Sequence, residues 1–357
     1  MDLTIESAIC GRAADPGDSR AVSGEAVAAA QTATARMFRS VRAGRSWLRA
    51  QQEAASASLP RSCVLMKPGN DDPPLFMIPG APGSVFQLGP VAAALPLPMP
   101  VYAIKPRGLD DGGQAPCETI ADMAEYAIGV MRAVRPEGPY LLVGYSAGGL
   151  VALEMAQRLT RAGHDVPVVV FLDTYPGKPS WPFWCHAEVL ARQTFGALRA
   201  LLQCGPRRVF GELARRGGSL MEYLAASGVG LLPPPEIVAE GWSDESRRVY
   251  IATYNAGEAY CPSFYTGKVV IVRPTELEDL MPSSPARAWR KFLGDMETRQ
   301  IEGSHLGMVE RNATATATAI RDSLRRLMQG DRASGVRQRA DCTAAAAGTL
   351  EASLGCS

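Results

Sequence analysis

Tyr140-Leu141-Leu142-Val143-Gly144-Tyr145-Ser146-Ala147-Gly148-Gly149-Leu150 is the stretch whose reading decides the fold. Its first four residues are apolar enough for a buried strand. Beyond it, Leu150, Leu153, Met155 and Leu159 recur in a helical rhythm that closes at Ala162-Gly163. Between strand and helix stands a serine bracketed by Gly144 and Gly148. A turn this tight brings strand and helix backbones into contact, so a Cβ at either glycine would collide with a neighbour. Raised above the sheet on such a turn, with Tyr145 before it and Ala147 after it, Ser146 is a candidate nucleophile.

The same alternation extends in both directions. Upstream, Pro74–Ile78 reads as a short strand that runs into the loop Pro79-Gly80-Ala81-Pro82-Gly83, and Val101–Ile104 reads as another. Ile120, Met123, Ala127, Met131 and Val134 fall at helical spacing behind Thr119, a suitable N-cap. Downstream, Val168–Leu172 is apolar throughout, as a strand buried on both faces must be. Strands alternating with helices of this length predict a mostly parallel sheet flanked by helices, an α/β fold.

After Asp173 the rhythm stops. Residues 176–262 hold Trp181, Phe183, Trp184, Met221, several short helix-like stretches and Pro233-Pro234-Pro235. An insertion of this length between strands predicts a lid, and its aromatic residues read equally as apolar walls or as ordinary packing. The strand pattern returns at Lys268–Val272, and a final helix is expected over about 312–328, after Gly303-Ser304-His305. The expected organisation is a disordered 1–23, an Ala- and Arg-rich helical extension over 24–60, the α/β domain over 61–328 and a disordered tail over 329–357. In the extension, Arg36, Arg39, Arg42, Arg45 and Arg49 share one broad face, read as a solvated surface with a docking helix as the alternative.

Bulk properties narrow the function classes. The chain has 357 residues, 46% of them hydrophobic, and a net charge of +1, which argues against nucleic acid as the main partner. Eight cysteines without a C-x-x-C pair form neither a disulfide framework nor a zinc pattern. No apolar run approaches the ~20 residues of a membrane span, and the N-terminus lacks the basic start and apolar core of a secretory signal. The expectation is a cytoplasmic protein with no metal site.

A serine hydroxyl needs a base, and the base needs an acid to orient it. Three histidines are available. His164 falls in a helix-to-strand turn at the edge of the sheet away from Ser146. His186 falls in the insertion. His305 follows the last strand at the edge that carries Ser146, which makes it the expected base. Asp173, ending the strand after the nucleophile strand, is one candidate acid; Glu276, Glu278 and Asp279, after the Lys268–Val272 strand, are the others. Either position keeps the chain order Ser, acid, His. An oxyanion needs two N–H donors, expected from Ala147 and from Ala81, since Pro82 has no N–H to offer.

With the Gly144–Gly148 turn, the Pro79–Gly83 loop, the Leu172-Asp173-Thr174-Tyr175-Pro176 stretch and the Gly303-Ser304-His305 ending, residues 61–328 resemble the thioesterase domains of non-ribosomal peptide synthetases and polyketide synthases. The resemblance implies an α/β-hydrolase fold with a helical lid, a triad of Ser146, Asp173 and His305, and oxyanion donors at Ala81 and Ala147. It favours Asp173 over Asp279, because the family carries its helical lid where this chain has 176–262, whereas related editing thioesterases more often place the acid after the later strand. The glycine-rich loop of that family has proline at position 82 here. The implied substrate is an acyl, polyketide or peptide chain on the phosphopantetheine of an acyl or peptidyl carrier protein, met in trans by a free-standing enzyme that needs no cofactor of its own. Asp18-Ser19 resembles a phosphopantetheine attachment site only superficially, since the short stretch before it cannot form a carrier domain. An editing (type II) thioesterase, a carboxylesterase or lipase-like hydrolase, and a catalytically dead binding protein are the alternative readings.

Overall fold

The computed structural model describes residues 59–109, 114–203, 242–277 and 281–325. Seven strands form one sheet in the order β1-β3-β2-β4-β5-β6-β7. They are β1 (Cys63–Lys67), β2 (Leu75–Ile78), β3 (Val101–Ile104), β4 (Leu141–Tyr145), β5 (Val168–Leu172), β6 (Tyr265–Pro274) and β7 (Leu293–Ile301). β1 runs antiparallel to β3, and every other pairing is parallel. Parallel neighbours require crossovers, so both faces of the sheet are covered by helices.

β4 and β5 are buried along their whole length, which matches their unbroken apolar sequences. Leu142, Val169, Phe171 and Ile271 face one core layer, with α2 (Ile120–Val134) and α3 (Gly148–Arg161) packed over them. Leu141, Val143, Val170, Leu172 and Val272 face the other. That layer is closed by α1 (Gly89–Ala94) and by a C-terminal helix, α7, over 313–325. Each such side chain contributes about 1.5–3 kcal/mol by leaving water. A carboxylate introduced at Val143 or Val170 would have no partner in either layer and would break the sheet at its centre.

Local chemistry sets the helix ends. The Thr119 hydroxyl accepts the Asp122 N–H at 3.1 Å, capping α2 as its sequence predicts. At the other end Arg135 turns extended, because the proline that follows disfavours helical backbone before it.

The 176–262 insertion departs from its reading as short helix-like pieces. Its described parts hold a 21-residue helix, α4 (Phe183–Gln203), and a 16-residue helix, α5 (Asp244–Ala259). Residues 204–241 lie outside the described set, as do the N-terminal extension, the C-terminal tail, Glu278 and Asp279. A short helix, α6 (Pro285–Trp289), precedes β7. Trp181 is a packing residue, buried with Cys185, Val189 and Ala288, and its indole N–H donates to the Pro176 carbonyl at 2.8 Å. Phe183 and Trp184 are exposed. No helix among the described residues is long and apolar enough to cross a membrane.

Candidate active site

The carboxyl ends of β2, β4, β5 and β7 converge on one edge of the sheet. Ser146 follows β4 with φ 54°, and Asp173 follows β5 with φ 49°, both in the left-handed region that non-glycine residues rarely adopt. Such conformations cost about 1–3 kcal/mol each and persist only where the surroundings enforce them. Here the Ser146 N–H donates to the Leu172 carbonyl at 2.9 Å, and the Asp173 N–H donates to the Val272 carbonyl at 2.8 Å. Each residue is therefore pinned to the end of the neighbouring strand as the chain swings out of the sheet.

The glycines around Ser146 behave as the tight-turn reading requires. A Cβ at Gly144 would strike the Gly148 carbonyl and the Gly149 backbone, and one at Gly148 would strike the Ile78 and Pro79 carbonyls. Gly149, which its place in the turn alone does not single out, is equally constrained, because its Cβ would occupy the space of Thr174. Thr174 uses that proximity. Its hydroxyl donates to the Ser146 carbonyl at 2.9 Å, while the buried Trp289 indole of α6 donates to the Thr174 carbonyl at 2.8 Å. The residue after Asp173 thus holds the backbone of Ser146.

The loop that carries His305 is built by side chains on both sides of it. Gly303 has φ 103°, a conformation open to glycine. Its N–H donates to the Thr275 hydroxyl at 3.1 Å and its carbonyl accepts the Glu276 N–H at 2.9 Å, tying the loop to the end of β6. Ser304 turns the chain by accepting the Gly307 N–H on its hydroxyl and the Met308 N–H on its carbonyl. Met308 and Val309 then anchor the turn in the core.

This path brings His305 to Asp173. Nδ1 and Oδ2 lie 2.7 Å apart, with the carboxylate side chain 9% exposed and the imidazole 26% exposed. An ionised carboxylate only accepts, so the Nδ1–H is the donor in this pair. Tyr145 adds a second support that the sequence pattern does not reveal. Its ring stacks on His305 with centroids 4.9 Å apart and planes inclined by 23°, and its hydroxyl donates to the His305 carbonyl at 3.1 Å.

The other histidines stand elsewhere. His164 lies edge-on to Tyr140 in the turn before β5. His186 lies against Trp181 in α4, where burial lowers its pKa below the ordinary imidazole value. Ala81 follows β2 in a turn closed by the Gly83 N–H on the Gly80 carbonyl at 2.8 Å, and Ala147 stands at the start of α3. Neither the Ala81 nor the Ala147 N–H donates to another backbone group among the described hydrogen bonds. Glu276 is held beside Gly303 through its backbone.

Residues 73–184, which span β2 to the start of α4, match the family described as the Thioesterase domain. Over that stretch the chain is similar to thioesterase domains. Among its relatives are a dimodular nonribosomal peptide synthase of Bacillus subtilis, 28% identical over 67% of this chain and 10% of that protein, and the nonribosomal peptide synthetase btyA of Aspergillus terreus, 29% identical over 70% of this chain and 28% of that protein. The chain spans a tenth or less of the length of the first curated relatives it matches.

Solved structures share this mostly parallel, helix-flanked sheet, the α/β-hydrolase fold. A type II thioesterase, BorB, from the borrelidin biosynthetic cluster is similar with a TM-score of 0.50 and 21% identity, over 74% of this chain and 98% of that one. A four-domain nonribosomal peptide synthetase, AB3403, is similar with a TM-score of 0.53 and 21% identity, over 74% of this chain and 20% of that one.

Proposed function

We propose that the chain is a serine thioesterase that takes an acyl, polyketide or peptide chain from the phosphopantetheine of a carrier protein and releases it through an acyl-Ser146 intermediate, by hydrolysis or cyclisation. The observation that carries this reading is the 2.7 Å pairing of Asp173 with His305 at the strand edge where Ser146 is raised on its turn.

In this mechanism His305 Nε2 takes the Ser146 proton as Oγ attacks the thioester carbonyl, and Asp173 stabilises the imidazolium that results. The tetrahedral oxyanion is met by the N–H groups of Ala81 and Ala147. Collapse breaks the C–S bond, and the imidazolium returns its proton to the departing pantetheine thiolate. Water, or a hydroxyl or amine of the acyl chain, then attacks the ester carbonyl with His305 again as base, and Ser146 recovers its proton. The described parts of the 176–262 insertion, α4 and α5, fit a lid over this edge.

The test is release of product from a carrier loaded with an acyl-phosphopantetheine, followed by intact-protein mass spectrometry of both partners. The reading predicts loss of the acyl mass from the carrier and a transient acyl mass on the enzyme. Neither should appear with Ser146→Ala. Turnover of simple oxygen esters with no unloading of any acyl carrier would instead favour the carboxylesterase reading.

A further inference from the structure

An apolar cleft opens beside the nucleophile, on the face of the sheet covered by α2 and α3. Its walls include Ile78, Ile104, Pro106, Met123, Val151 and Val249, with Thr253 of α5 beside them. The cleft starts at Gly80, where a Cβ would stand 3.2 Å from the Ser146 Cβ, so its near end adjoins the reacting hydroxyl. Gly83 marks how closely three elements meet there. A Cβ on it would lie 2.6 Å from Pro106 Cγ and 3.1 Å from Val249 Cγ1. The loop after β2, the loop after β3 and the insertion helix α5 thus enclose one volume. Two cations also line it, Lys105 and Arg107, and the Arg107 Nε–H is already engaged by the Ala115 carbonyl at 2.9 Å.

The sheet order gives this cleft a direction. From Ser146 on β4, Asp173 and His305 lie toward β5 and β7, whereas the cleft lies toward β2 and β3. The group that protonates the leaving thiolate must sit beside it, so the pantetheine arm belongs on the β5–β7 side. The acyl substituent on the same carbonyl carbon is directed to the opposite side. Its surroundings there are mainly aliphatic side chains and prolines, with Tyr126, Thr253, Lys105 and Arg107 among them, and the apolar part rewards burial of apolar surface.

Resting on the thioesterase reading above, we infer that the cleft between the Pro79-Gly80 loop, α2 and α5 is the acyl pocket and that it selects an uncharged, apolar acyl group. Met123 and Thr253 bound its capacity from opposite elements.

The experiment measures second-order labelling of Ser146 by fluorophosphonates whose alkyl substituent takes the place of the acyl chain: ethyl, hexyl and ω-carboxypentyl. The wild type should label at least tenfold faster with hexyl than with ω-carboxypentyl. Thr253→Phe should lower the hexyl-to-ethyl rate ratio at least fivefold, and Met123→Ala should raise it. Melting temperatures and ethyl-probe labelling report whether each variant is folded, and because the two substitutions act in opposite directions, general destabilisation cannot mimic both. Equal ratios in wild type and both variants, or faster labelling by the carboxylated probe, would overturn the inference. If Ser146 labels with these preferences but no acyl carrier is unloaded, the pocket stands and the carrier reading fails. If Ser146 takes no probe at all, both fail.

Discussion

Tyr145 and His305, 160 residues apart in sequence, are locked together twice: their rings stack at 4.9 Å, and the tyrosine hydroxyl donates to the histidine's own carbonyl at 3.1 Å. The residue before Ser146 therefore positions His305, and it does so from a buried site, with Tyr145 4% exposed. Tyr145→Phe keeps the stack and removes the hydrogen bond, a loss of about 0.5–1.5 kcal/mol, or roughly 2- to 10-fold in kcat. Tyr145→Leu removes both and should lower kcat further. Because Tyr145 acts through His305 and not on substrate, KM should change little in either variant. A rise in KM with kcat unchanged would assign the ring to binding.

Thr174 joins the acid turn to the nucleophile turn. Thr174→Val keeps the shape but removes the hydroxyl donor from the Ser146 carbonyl, which keeps the Gly149 N–H at 3.0 Å, at a cost of about 0.5–1.5 kcal/mol in stability. Thr174→Ser retains the donor and should stay closer to the wild type in denaturant titration. Equal stability of the two variants would mean the hydroxyl bond contributes nothing measurable.

Trp289 supports the same link from behind. Trp289→Phe removes the indole N–H that meets the Thr174 carbonyl and leaves a void in the core beside Phe171, whose ring lies 5.1 Å away. The combined loss should exceed 2 kcal/mol, from an unpaired buried carbonyl and a cavity together. Thermal unfolding checks it, and an unchanged melting temperature would contradict the account.

Gly149→Ala should be far more damaging than its position in a helix suggests. Alanine is normally the better helix former, by about 1 kcal/mol. At 149, however, the added Cβ would enter the space of the Thr174 side chain, which is fully buried and cannot move aside. The variant should express poorly or melt well below the wild type, whereas Gly129→Ala, in open space on α2, should be neutral or stabilising.

Much of this architecture was legible in the amino-acid order, and the exceptions have physical causes. β2, β3, β4 and β5 announce themselves because strands buried on both faces must be apolar throughout. Thr119 announces the start of α2 because a cap uses a side chain only three residues from its partner. β1 is missed because it lies at the edge of the sheet and pairs antiparallel with a single neighbour, β3. The last strand before His305 could be given no bounds, because Leu293–Ile301, the other edge, is mostly polar and largely exposed or half-buried. Glycines 144 and 148 can be read as close contacts from the turn alone, but the conflict between Gly149 and Thr174 joins two strand ends and has no local signature. Which carboxylate His305 meets depends on how residues 302–305 fold back across the sheet edge, a path set by Gly303, Thr275 and Ser304 that brings it to Asp173, while Glu278 and Asp279 lie outside the described residues. The support from Tyr145 depends on the same path.

The most direct measurement is active-site labelling with a fluorophosphonate, followed by intact-protein mass spectrometry of wild type, Ser146→Ala, His305→Ala, Asp173→Asn and Asp279→Asn. The account predicts one adduct on the wild type and none on Ser146→Ala. Labelling should be slowed by about 10³–10⁴-fold in Asp173→Asn and at least as much in His305→Ala, with Asp279→Asn close to wild type. An adduct that persists in Ser146→Ala, or slowing by Asp279→Asn in place of Asp173→Asn, would contradict it.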